Sequence, residues 1–127
     1  MNSALENIWM QVQKPGRYTG GEVNSTVKDK SNVFIRFALC YPDLYEVGMS
    51  NLGIKILYEL MNARPDTWCE RVFAPASDME AQLRAAGIPL YGLESKDPIS
   101  QFDIVGFSLQ FELNYTCILQ MMELGGI

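Results

Sequence analysis

Val33-Phe34-Ile35-Arg36-Phe37-Ala38-Leu39-Cys40 is apolar at every position but Arg36, and it stops at Tyr41-Pro42-Asp43. A strand with one wet face alternates polar and apolar residues. A nearly continuous apolar run reads instead as a strand covered on both faces, the pattern of a parallel sheet. Asp103-Ile104-Val105-Gly106-Phe107-Ser108-Leu109 is a second run of the same kind. Between them, Trp68 to Phe73 reads as a strand stopped at Pro75. Leu90-Tyr91-Gly92-Leu93 reads as a shorter, weaker strand, which Pro89 beside it assigns to an edge.

Helical patterns separate these runs. Ser50 is the expected N-cap of a helix over about Asn51 to Asn62, with Leu52, Ile56 and Leu60, and also Leu57 and Met61, on its inward stripe. Ser77 or Asp78 caps a helix over Met79 to Ala86, with Met79, Leu83 and Ala86 inward and Gly87 ending it. A last helix starts near Asn114, carries Cys117, Ile118, Met121 and Leu124, and ends at Gly125-Gly126. The alternation predicts an α/β fold: a Rossmann-like, mainly parallel sheet of about four strands with flanking helices. The Val33–Cys40 and Asp103–Leu109 strands are expected adjacent, parallel and central, with the Trp68 strand on the other side of the first.

Upstream, Ala4 to Val12 suits one or two helical turns with Leu5, Ile8, Trp9 and Val12 on one side. Lys14-Pro15-Gly16-Arg17-Tyr18-Thr19-Gly20-Gly21-Glu22 has too much proline and glycine for a regular element and reads as an ordered arm anchored by Arg17 and Tyr18. Residues 1–32 are therefore expected to form an N-terminal helix and arm, and 33–127 a Rossmann-like domain. The final Gly125-Gly126-Ile127 falls where a turn would lead into another strand. An incomplete sheet is expected, with the outer side of the Asp103–Leu109 strand unpaired and open to self-association.

A chain of 127 residues is one domain long and buries roughly two-thirds of its unfolded surface. With 48% hydrophobic and 20% charged residues it is globular in type. No apolar run approaches the about 18 residues of a membrane span, and Met1 to Asn7 lacks the basic-then-apolar order of a secretory signal. The net charge of −5, with scattered Lys and Arg, disfavours nucleic acid as a partner. Three widely spaced cysteines fit a reducing, cytoplasmic setting better than a disulfide scaffold. Cys40, Cys69 and Cys117 form no CxxC and read as buried thiols. The chain has no histidine, which excludes an imidazole base, a His-dependent triad and His-ligated zinc.

Gly48-Met49-Ser50-Asn51-Leu52-Gly53-Ile54-Lys55 has the glycine spacing of a phosphate loop. A nucleotide-triphosphate loop needs Lys directly after its second glycine, then Ser or Thr, and Ile54-Lys55 stands there instead. What remains is a glycine-containing turn that opens a helix after a strand: a possible anion contact, or a tight turn and no more. Asp43, Tyr45 and Glu46 follow the first strand; Gln110, Glu112, Asn114 and Tyr115 follow the Asp103 strand. In open parallel sheets ligands bind beyond the carboxyl ends of the strands. The acids there suit acid–base work or ordinary capping and solvation equally.

The blocks Lys14-Pro15-Gly16-Arg17-Tyr18, Gly20-Gly21-Glu22, Tyr41-Pro42-Asp43-Leu44-Tyr45-Glu46-Val47-Gly48-Met49-Ser50-Asn51-Leu52-Gly53, Glu70-Arg71-Val72-Phe73-Ala74-Pro75 and Phe102 to Gln110 resemble the N-terminal region of cobalamin-binding-type radical S-adenosylmethionine (SAM) proteins. The resemblance implies a modular parent. A Rossmann-like front domain covers or binds cofactor or substrate for a downstream SAM barrel with a [4Fe-4S] cluster on CxxxCxxC, which cleaves SAM reductively to a radical. This chain has no such triad, so cluster and SAM belong to the parent only, and the chain alone is expected to be inactive. Many cobalamin domains carry DxHxxG; Asp43-Leu44-Tyr45-Glu46-Val47-Gly48 keeps Asp and Gly but has Tyr45 where His would ligate cobalt. Cobalamin would then bind without a protein nitrogen, its tail in a groove lined by Tyr41, Asp43, Tyr45, Gly48, Ser50, Ser108 and Gln110. The alternative is a degenerate module that keeps the fold and serves only to dock the barrel.

Overall fold

The computed structural model describes residues 3–127; the first two residues of the expected N-terminal segment lie outside them. Three parallel strands form one sheet in the order β2-β1-β3: β1 (Ile35–Tyr41), β2 (Thr67–Phe73) and β3 (Ile104–Phe107). Helices α1 (Ser3–Trp9), α2 (Tyr45–Met49), α3 (Leu52–Asn62), α4 (Ser77–Ala86) and α5 (Asn114–Gly125) complete the α/β fold. The register runs from Ile35↔Thr67 to Tyr41↔Phe73 on one side of β1 and from Phe37↔Ile104 to Cys40↔Phe107 on the other. The two strongest apolar runs are thus neighbours and parallel, and the Trp68 strand lies on the far side of β1, as their hydrophobicity predicts.

Alternation along the strands divides the interior into two layers. Leu39, Tyr41, Cys69 and Phe73 pack on Ile54 and Tyr58 of α3. Ala38, Cys40 and Val72 pack on Ile99, Phe102, Met121 and Leu124. A third cluster joins Leu5, Ile8, Trp9 and Val12 to Tyr18, Met79, Leu83 and Tyr91. The N-terminal arm is anchored as its residues suggest. The Tyr18 hydroxyl accepts from the Ala76 amide at 3.1 Å, and Arg17 pairs with Glu46 at 2.8 Å.

Several expectations need correction. The sheet has three strands, not four. Leu90–Leu93 makes only an isolated antiparallel bridge, Tyr91↔Pro98, because its amides go to three unrelated places. Leu90 N donates to Leu124 O, Gly92 N to Asp97 O and Leu93 N to Arg71 O, and Pro89 has no amide to give. Among the described residues β1 is central and β3 lies at an edge, so the Asp103 strand is not central. The N-cap of α3 is Asn51, whose side chain accepts from Ile54 N at 3.0 Å; the Ser50 hydroxyl donates to Glu46 O instead. Neither Ser77 nor Asp78 caps α4, which follows Ala76; Asp78 accepts from the Gln13 amide. Ala86 faces solvent. Leu52, Ile56, Leu57 and Leu60 of α3 point outward, since Ile54 and Tyr58 already fill the layer beneath the helix. Gly87 and Gly126 end their helices with φ of 66° and 74°, the left-handed geometry that glycine adopts freely.

Candidate functional site: the carboxyl ends of the strands

β1 and β3 end side by side. Ser108 N donates to Cys40 O at 2.9 Å, which extends the ladder one residue past β3. Beyond that point the loops are sewn together by Asn114, a buried residue at the start of α5. Its Nδ2 donates to Pro42 O at 3.3 Å, and its Oδ1 accepts from the Gln110 and Phe111 amides. The loop after β1 is tied in turn to β2, since Ala74 N donates to Asp43 O at 2.9 Å.

The seven residues read from the sequence divide into separate groups. Tyr41, Tyr45 and Gly48 converge on Phe73. The Tyr45 ring stands edge-on to Phe73 at 5.5 Å, and a Cβ built at Gly48 would run into the Phe73 ring and lie 3.3 Å from Tyr41. Ser108 and Gln110 bind each other, Nε2 donating to Oγ at 2.6 Å. Asp43 accepts from the Leu44 amide at 2.7 Å, at the entry to α2. Ser50 is exposed, with its hydroxyl on Glu46 O.

These contacts bear on the fit of a cobalamin. The Tyr45 hydroxyl donates to Glu22 at 2.7 Å; burial, reinforced by Glu22, pushes its pKa up to about 12, so it stays a neutral phenol turned into the protein. Gly48 is required by the Phe73 ring and leaves no open cradle. With no histidine in the chain and the Tyr45 hydroxyl spent on Glu22, no imidazole here offers cobalt an axial nitrogen. Of the rim acids, Asp43 is taken by the Leu44 amide, the Glu46 carboxylate is held below its usual range by Arg17, and Glu112 is exposed. Burial pushes the Cys69 thiol up to about 12 and raises Cys40 further still. Among the described residues no three His, Cys, Asp or Glu side chains gather as a metal site.

Beside exposed Glu46, Gln110 and Glu112, the rim exposes apolar side chains. Val47 after β1, and Leu109, Phe111, Leu113 and Tyr115 after β3, are between 46% and 80% exposed. Singly such residues are ordinary; grouped on adjoining loops at one end of a sheet they form an interaction surface.

A polar cluster beside this rim escaped the sequence reading. Arg71, 2% exposed, pairs with buried Glu94 through Nε–Oε1 at 2.9 Å and stacks over Tyr58 at 4.2 Å. Its Nη2 donates to Ser25 Oγ at 3.0 Å and lies 3.6 Å from Glu22. On the other face of β2, Glu70 pairs with Arg36 at 2.5 Å. The loop after Leu93 serves both faces: Glu94 takes Arg71, the Ser95 amide donates to Glu70 and Asp97 takes Arg36. The available signal was the Glu70-Arg71 doublet inside a strand, because a buried charge must bring a partner with it. A cavity of about 510 Å³ adjoins the cluster, with Asn24, Thr26, Met49, Tyr58, Asn62 and Arg71 in its walls.

A family model described as radical SAM proteins, N-terminal, matches residues 53–127, more than half of the chain. The chain belongs to this family. No curated protein and no solved structure matches it. Of the blocks on which the resemblance rested, Glu70–Pro75 and Phe102–Gln110 lie within the matched residues. Among the described residues no helix is long and apolar enough to cross a membrane.

Proposed function

We propose that this chain is the docking domain of a radical SAM protein, and that the carboxyl rim of its sheet seats the SAM barrel of the same polypeptide. The observation that carries this reading is the contrast at the rim. Tyr45, Glu46 and Asn114 are engaged within the domain, while Val47, Leu109, Phe111 and Leu113 face outward. An apolar surface on rigid strand ends suits permanent association within one polypeptide better than capture of a polar small molecule. The barrel's [4Fe-4S] cluster would supply the reductive cleavage of SAM. This domain's part is to cover the barrel mouth and keep water from it, with Asn114 holding the two rim loops in register.

The test uses the intact parent. Leu113→Glu should release the domain from the barrel, raising amide exchange at residues 109–115 and lowering SAM-dependent turnover, while Leu109–Phe111 exchange in wild type stays slow. Unchanged exchange and turnover in the variant would refute docking at this rim. Titration of the same protein with hydroxocobalamin should leave the visible spectrum unaltered. A spectral change on titration would restore the cobalamin reading in its place.

A further inference from the structure

We propose that the outer face of α3 is a dimer interface, on which two copies of this chain pack α3 against α3, antiparallel, about a two-fold axis near Leu57. The helix is apolar on two sides. Ile54 and Tyr58 are buried beneath it, yet Leu52, Ile56, Leu57 and Leu60 stand 69%, 48%, 45% and 63% exposed on top. A second apolar stripe on the solvent side of a helix calls for a cover. Leu52, Ile56 and Leu60 recur every fourth residue and make one straight ridge, the element that interdigitates when helices pack. Gly53, exposed beside that ridge, leaves a notch.

The charges beside the ridge select a second copy. Lys55 and Glu59 are exposed along one flank, and none of the ion pairs among the described residues includes either. Lys four residues before Glu is the poorer order for pairing within a helix. In an antiparallel pair, a flank meets the same flank of its partner. Lys55 of each copy then faces Glu59 of the other, and symmetry makes two such pairs. The surface is self-complementary in shape and charge, which a two-fold interface requires. It lies on the α3 layer, apart from the β3 loops proposed to seat the barrel, so the two associations do not exclude each other. An interface of 11 helical residues falls short of the about 800 Å² per partner of a standard complex, so dissociation in the micromolar range is expected.

Sedimentation equilibrium of the intact parent protein, with circular dichroism to confirm folding, tests this. The wild type should dimerise reversibly, Ile56→Glu should be monomeric, and Leu113→Glu should dimerise as wild type does. Glu59→Lys should weaken the dimer about fivefold, and Lys55→Glu combined with Glu59→Lys should restore it. If Ile56→Glu does not fold, Leu60→Lys takes its place. A wild type monomeric into the hundreds of micromolar overturns the proposal. So does a dimer that survives Ile56→Glu, one that is lost only with Leu113→Glu, or a charge swap that fails to restore association.

Discussion

Helices α3 and α4 look alike on paper and behave differently in the fold. In α4 the apolar residues Met79 and Leu83 are buried, while Arg84 pairs with Glu80 and Glu123 on the outside. One stripe exists, and it goes in. In α3 apolar residues occupy two sides, and the larger stripe, Leu52, Ile56 and Leu60, is the one left outside. The sheet selects Ile54 and Tyr58 instead. Tyr58 alone does two jobs: its hydroxyl bonds Glu94 and the Thr26 amide, and its ring carries Arg71. The lesson is that periodicity finds an apolar stripe but does not choose between two. Polar groups buried beneath a helix make that choice.

The contrast can be broken most forcefully at its polar anchor. Arg71→Ala leaves Glu94 buried without its cation and removes the stack on Tyr58, so it should destabilise the domain by about 3–5 kcal/mol in urea unfolding. A loss within the scatter of surface substitutions would show that apolar contacts alone orient α3. Leu83→Ala in α4 should cost about 2–5 kcal/mol, whereas Leu60→Ala, measured below the dimer concentration, should stay within about 0.5 kcal/mol. Similar losses at the two sites would mean that the outer stripe is covered within the chain.

Alkali sharpens the same comparison. Burial, with the charge of Glu94, pushes the Tyr58 phenol under α3 up to about 12; burial does the same for Tyr91 beside α4. A folded pKa above the ordinary value of 10.0 means that the proton favours the folded state. The stability from these groups is therefore complete below pH about 10 and is lost as pH rises toward about 12. Unfolding midpoints should fall across that window, with phenolate absorbance appearing together with unfolding. Midpoints that stay level would contradict both burials.

The smallest effect separates two neighbouring residues at the start of α3. Asn51→Ala removes the observed cap and should cost about 1 kcal/mol. Ser50→Ala, at the residue the pattern favours as cap, should cost less than about 0.5 kcal/mol. The reverse order would restore Ser50 as the cap.

Much of this architecture could be read from the chain. Val33–Cys40 and Asp103–Leu109 read as strands covered on both faces, and they are parallel neighbours, but β3 at the edge is only partly covered, with Ile104 45% exposed. Arg17 and Tyr18 were legible as anchors because a glycine-rich arm has few other side chains with which to hold itself. The site was less legible. Asp43, Tyr45, Ser50 and Gln110 are residue types that bind ligands and equally cap turns, and a sequence does not show which partner each has. Tyr45 faces Glu22, 23 residues away in the chain.

By itself the sequence determined the class of the fold, the strand neighbours and the absence of imidazole chemistry, since each depends on composition or on local periodicity. Only the tertiary structure decided that Leu90–Leu93 is no strand, that α3 turns its leucines outward, and that Tyr45, Gly48 and Asn114 serve the domain's own cohesion. Each of those outcomes depends on a partner distant in the chain: the Leu124 carbonyl, the Glu94 carboxylate, the Phe73 ring. Hydrogen bonds and packing are settled by what lies within a few ångströms in space, and sequence order does not encode that distance.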